Sequence, residues 1–185
     1  MFLTESDFNK MPFNIPQSDD RPNALSDVID FYEEEALKRV LGSALYSEFI
    51  AGVFVDPAAS PLVAKEDGDI EEKWLLLRDG GEYTYREKTY RYDGVKNFLK
   101  PYVFQAVVAD DAQTLTPIGA VQVDTENGSV VSPGQQIMRA YRIFSQAVGD
   151  CHLYKDTLWG FLSANKLEYP NWNFKSPGSR NVLSI

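Results

Sequence analysis

One cysteine and one histidine, Cys151 and His152, are all that the 185 residues hold of either type. A single thiol closes no internal disulfide and fits a reducing compartment. Ser-His-Asp and Cys-His mechanisms would both have to draw on His152. Neighbours on a helix point about 100° apart, so Cys151 and His152 are no ready-made dyad. No CxxC or HxxxH spacing is present to hold a metal ion. The acidic run Glu66-Asp67-Gly68-Asp69-Ile70-Glu71-Glu72 misplaces its glycine for a calcium loop. Gly80-Gly81 is followed by Glu82 and Tyr83 rather than lysine, so it is no phosphate loop. No apolar run approaches the ~20 residues of a membrane helix. The start, Met1-Phe2-Leu3-Thr4-Glu5, lacks the basic and apolar regions of a secretory signal, and none is expected. Repeats and low-complexity tracts are absent. No catalytic constellation, cofactor or metal is expected.

What is present is acidic. The chain has 18 basic and 27 acidic residues, a net charge of −9. Residues 1–80 hold 7 basic and 17 acidic residues; the rest is nearly balanced. Tight duplex binding comes mainly from cations that neutralise phosphates, so tight DNA binding is not expected. An acidic face either maintains solubility or lines a channel along which DNA slides by like-charge repulsion.

The patterning predicts a mainly α (α+β) fold: a helical bundle, a long C-terminal helix and one or two projecting β-hairpins. Residues 1–22, with Pro12 and Pro16, read as an extended arm with one helical turn near Glu5–Lys10. A helical domain spans 23–168. Its first helix carries Leu25, Val28, Ile29, Tyr32, Ala36, Val40 and Leu41 at steps of three or four, with Asn23 or Ser26 as cap. Glu33, Glu34 and Glu35 read as its acidic side, paired with Lys38 and Arg39 a turn later. Gly42 ends it, and Ser43 caps a second helix through Leu45, Tyr46 and Phe49 to Gly52. A short helix covers Ile70–Arg78. A third major helix begins after Asp93-Gly94 with the stripe Val95, Phe98, Leu99, Tyr102, Val103, Ala106 and Val107; Pro101 predicts a kink or a start near Lys100. Ile137, Tyr141, Phe144, Val148, Cys151, Lys155, Leu158 and Leu162, all but Lys155 apolar or aromatic, keep phase across Gly149 and Gly160, which predicts one helix from Pro133 to Lys166, roughly 50 Å long.

Hairpins are expected near 82–92, where Tyr83, Tyr85, Tyr90 and Tyr92 alternate with polar residues, and near 119–131, around Asn127-Gly128. The four tyrosines read as packing against the helices and a neighbouring chain, with a stacking platform for single-stranded nucleic acid as the alternative. Residues 169–185 read as an extended tail. Both termini carry large apolar groups, Phe2 and Phe8 in one and Trp172 and Phe174 in the other. They are therefore expected to order only against a partner, with docking back on the chain's own core as the alternative. The candidate assembly contacts are Phe2, Phe8, Tyr83, Tyr85, Tyr90, Tyr92, Trp172 and Phe174.

The order of motifs is specific. It runs Phe2-Leu3-Thr4-Glu5-Ser6-Asp7-Phe8, Phe31-Tyr32-Glu33-Glu34 and Leu41-Gly42-Ser43-Ala44-Leu45-Tyr46, then Lys73-Trp74-Leu75, Gly80-Gly81-Glu82-Tyr83, Tyr92-Asp93-Gly94-Val95-Lys96 and Leu99-Lys100-Pro101-Tyr102. This resembles a family of uncharacterised proteins of Bacteroidetes phages and prophages, itself similar to the helical head–tail connector (adaptor) proteins of tailed phages. The resemblance implies a virion neck component assembled in the host bacterial cytoplasm. It implies a homo-oligomeric ring, usually a dodecamer, between portal protein and tail proteins, with DNA passing through. It implies no membrane and no catalytic residues. The alternative is a phage accessory protein that binds nucleic acid or another protein, or an unrecognised enzyme.

Overall fold

Helix α1 (Leu25–Leu41) follows from its stripe, which buries Leu25, Ile29, Ala36, Leu37, Val40 and Leu41. The computed structural model describes residues 2–15, 23–59, 62–113, 132–149 and 156–173 of the chain. Residue 24, rather than Asn23 or Ser26, opens α1: its carbonyl accepts from the amides of Asp27 and Val28. Gly42 sits at φ +78° and turns the chain into α2 (Ser43–Val53), which continues through Gly52. A Cβ on Gly52 would lie 2.4 Å from the Trp74 ring, so the glycine lets that indole pack on the helix backbone.

Helix α3 (Glu72–Asp79) carries Trp74 and leads into strands β1 (Gly81–Tyr85) and β2 (Lys88–Tyr92). They pair antiparallel with Tyr83 opposite Tyr90 and Gly81 opposite Tyr92, which puts all four tyrosines on one face, as their alternation predicts. The turn between them has two residues, Arg86 at φ +49° and Glu87 at φ +65°. Two-residue hairpins of this kind favour Asn-Gly, and a side chain in the left-handed region costs about 1 kcal/mol. Glu87→Gly is expected to stabilise the protein by roughly 0.5–1 kcal/mol while keeping the Arg86 guanidinium over the Tyr85 ring. Urea denaturation measures it, and an unchanged or lower midpoint would refute it.

Helix α4 (Lys96–Gln113) runs unbroken through Pro101. The lost backbone bond is outweighed by packing: Phe98, Leu99, Tyr102, Val103, Phe104 and Val107 are all buried. Helix α4 packs most extensively on α5 (Pro133–Val148) and next on α1. Two hydroxyls fasten α1 to α4. Tyr102 donates to Glu35 at 2.8 Å and Tyr32 donates to Asp110. Burial, followed by the bond to Glu35, pushes the Tyr102 phenol up to about 12.

The single C-terminal helix does not form. Gly149 adopts the left-handed conformation, φ +97°, and its amide bonds Ser145 O at 3.0 Å, which closes α5. Thr157 then caps a separate helix, α6 (Leu158–Ala164), its Oγ1 accepting from Gly160 N. Periodicity treated Gly149 as a tolerated weakness, whereas a glycine at this position is a stop signal. A Cβ there would meet Thr157 Oγ1 at 2.6 Å, so the two helix ends are packed together. The hairpin expected near 119–131 lies outside the described residues, as do Phe174, Cys151 and His152.

Candidate interaction surface

The aromatic residues assigned to assembly are mostly spent inside the chain. Tyr92 stacks on Phe161 of α6 at 4.8 Å, and Tyr83 meets the same ring edge-on at 5.6 Å. Phe161 touches Tyr169 at 5.8 Å, and Tyr169 touches Trp74 at 5.8 Å. Trp74 reaches Phe49 of α2 at 6.0 Å, and Phe49 stacks on Phe2 at 5.4 Å. Phe2 finally meets Phe54 edge-on at 5.4 Å. One continuous row of rings thus ties hairpin, α6, the segment after it, α3, α2 and the N-terminal arm together. Tyr169 adds a 2.6 Å bond from its hydroxyl to Lys73 O.

This corrects the expectation for the N-terminal arm and for residues 169–173; residues 174–185 of the tail lie outside the described residues. Phe2, Leu3, Phe8 and Ile15 are buried against the chain's own core, and so is Tyr169, with Trp172 packed beside them. Burial against a neighbour is not required, because the body already offers an apolar socket. Phe2, Phe8, Tyr83 and Tyr92 are therefore core residues of the subunit. Tyr85, Tyr90 and Trp172 are half-buried, and they are what remains of the candidate contacts among the described residues.

The residue that sequence reading missed is Glu33. It is fully buried in α1, and its two oxygens accept the amides of Phe2 at 2.7 Å and Leu3 at 3.0 Å. Burial pushes its pKa up to about 7, against the pull of those two bonds. The signal was available: Glu33 lies four residues from both Ile29 and Leu37 and so belongs to the buried stripe. The arm is held further along by Asp7, which accepts Thr4 N at 3.0 Å and meets Lys100 of α4 at 2.8 Å. Partial burial works against the Asp7 charge, but the bonds from Lys100 and Thr4 prevail and lower its pKa.

Two clefts flank the arm. One, of about 470 Å³, separates Leu3–Ser6 from Ser26, Ile29 and Asp30 of α1. The other, of about 300 Å³, lies between Met11–Asn14, Phe104 and Val108 of α4, and Arg139 and Ile143 of α5. Met11 and Met138 are exposed, as are Phe31 on α1 and Leu167 after α6. Among the described residues, Glu33 and Thr157 are the buried polar side chains, and both hold backbone amides rather than face a cleft. No three His, Cys, Asp or Glu of the described residues converge to hold a metal ion. No described helix is long and apolar enough to cross a membrane. The arrangement can clamp backbone and present surface.

No curated protein and no solved structure matches the chain. Residues 37–182 match the model of a family of unknown function, DUF6712, and the chain belongs to that family.

Proposed function

We propose that the protein is a structural head–tail connector of a tailed bacteriophage or prophage. In this reading it forms a neck ring, probed first as a dodecamer, between the portal and tail proteins. DNA passes through the ring without tight binding, and the chain performs no catalysis. One observation carries the reading: four of the seven motifs behind the resemblance fall on the joints of the fold. Leu41–Tyr46 is the α1–α2 corner, Gly80–Tyr83 and Tyr92–Lys96 close α3 and α4 around the hairpin, and Phe2–Phe8 docks on α1. Residues at such joints hold a scaffold together rather than build a reactive site. The acidic first half fits a channel that DNA must leave freely.

Solution mass and electron microscopy of the chain, alone and mixed with the portal protein of the same phage or prophage, test the proposal. The expected result is a closed ring that binds the portal, and its assembly weakens in the variant Tyr85→Ala, Tyr90→Ala. A folded chain that ignores the portal yet binds DNA tightly, with steep loss on adding salt, would assign it to the accessory class instead.

A further inference from the structure

We infer that the cleft between the N-terminal arm, α4 and α5 is a docking site for an acidic peptide segment of another protein. A large apolar side chain of that segment fills the cleft, and Asp or Glu residues beside it pair with Arg139 and Arg142. The inference goes beyond the ring reading and does not depend on it.

The shape favours a segment of chain. The cleft holds about 300 Å³, and Phe104 and Val108 of α4 with Ala140 and Ile143 of α5 give it an apolar lining. Met11, 81% exposed, lines it from the arm. An exposed methionine is flexible and polarisable, and adapts to differing apolar guests. Met138, 70% exposed, and Arg142 stand one turn apart on α5, outside the cleft, so the surface continues along the helix. A small ligand held in the cleft would leave both unused. A peptide reaches them.

Charge decides the sign of the occupant. The chain carries −9, yet the 16 residues of α5 include two arginines and no acidic residue. Arg139 lines the cleft and no carboxylate does. Arg139 and Arg142 are exposed, neighbours on the helix at three residues' spacing, and form no ion pair among the described residues. The carboxylates of α4, Asp110 and Asp111, lie past Val108, and Asp110 faces α1, where it accepts the Tyr32 hydroxyl. At physiological salt, exposed charges more than ~8 Å apart are largely screened, so distant acidic residues do not cancel this cationic strip. A protein that binds DNA tightly neutralises roughly 6–10 phosphates, and a phosphodiester has nothing to place in an apolar cleft. An acidic segment with an apolar anchor suits both parts of the surface: the anchor supplies affinity and the charges fix orientation.

Selection of displayed random peptides on the immobilised chain, followed by titration of the enriched peptides in solution, tests the inference. The expected consensus sets Asp or Glu next to Leu, Phe, Trp or Met. Affinity for such a peptide is expected to fall about tenfold or more in the variant Arg139→Glu, Arg142→Glu, which replaces two attractions by repulsions. It is expected to fall several-fold in Met11→Glu. All three positions are exposed, and thermal denaturation is expected to show both variants folded. No enrichment, a consensus without acidic residues, or equal binding by the folded variants would overturn the inference. Self-association of the chain alone that the double charge reversal abolishes would give the cleft to a second copy. Displacement of the peptide by duplex DNA would make the strip a general anion site. Either result sinks the peptide reading.

Discussion

Gly80→Ala is expected to cost more than about 3 kcal/mol, enough to remove much of the 5–15 kcal/mol typical of a domain. Gly80 lies between α3 and β1 with φ +87° and ψ 179°, a region open essentially to glycine. A Cβ there would lie 2.2 Å from Tyr92 O, 2.6 Å from Gly94 N and 2.8 Å from Asp93 C. All three are backbone atoms, so no side chain can swing aside. Gly94, at φ +79°, faces the same joint from the segment after β2, where an added Cβ would meet Arg78 O at 2.6 Å. The two glycines let the end of α3 and the start of α4 touch, and the amide of Val95 closes the contact on Arg78 O at 3.1 Å. Arg78 is itself fixed by Asp79 and Asp67, to which its guanidinium bonds at 2.6–2.8 Å. Gly68→Ala is the control: nothing lies within 4 Å of its added Cβ, and a change within ±0.5 kcal/mol is expected. Urea denaturation of both variants decides the matter. If Gly80→Ala unfolded within 1 kcal/mol of the parent, this account of the joint would be wrong.

The helices were legible in the sequence because their faces are. The stripes of α1 and α4 name most of the residues that those helices bury, and the tyrosine alternation names the buried face of the hairpin. Periodicity says which side of an element is covered, but not by what. The tyrosines therefore read as partner-seeking, while their cover is Phe161, almost 70 residues along the chain. The arm misled for the same reason. Its Phe2 and Phe8 lack local partners in sequence, and the socket that receives them is built from α1, α2 and α4 only after folding. Counting charges as a group hid Glu33, since Glu34 and Lys38 beside it do form the expected surface pair. Phase continuity hid the end of α5, because Phe144, Val148, Leu158 and Phe161 all reach one core although the helix between them stops. A shared core keeps apolar spacing on both sides of a break. The remaining candidate contacts, Tyr85, Tyr90 and Trp172, were named with the rest, and only packing separates them from the core aromatics.

Stability is expected to fall as pH rises from about 4.5 to 7, and Glu33→Gln is expected to abolish that part of the slope. In the folded chain burial holds the Glu33 pKa at about 7, whereas its ordinary value is 4.5. Between those values the folded state keeps a proton that the unfolded state has released, so each increment of pH favours unfolding. The contribution is complete below about 4.5 and lost as pH passes 7. One pKa unit corresponds to about 1.4 kcal/mol, so the whole effect is on the order of 3–4 kcal/mol. Asp7 works in the opposite direction and in a different window. Its folded pKa is lowered below 3.8, so the stability it adds is present above that value and is lost on acidification. At pH 5 the folded Glu33 is protonated; Gln keeps its carbonyl acceptor but puts a non-accepting amide NH2 where the acid has a hydroxyl, so one of the Phe2 and Leu3 amides loses its partner, at a cost of about 1 kcal/mol. Glu33→Ala leaves both amides buried without an acceptor and is expected to cost about 3 kcal/mol or more. Because these amides belong to the arm, hydrogen exchange at Phe2 and Leu3 should accelerate in Glu33→Ala well before the rest of the fold opens. Denaturation midpoints at pH 5, 6, 7 and 8 for the parent and Glu33→Gln give the comparison. Equal slopes in the two proteins would mean that another group supplies the pH dependence, and that Glu33 keeps its charge throughout as a plain acceptor for the arm.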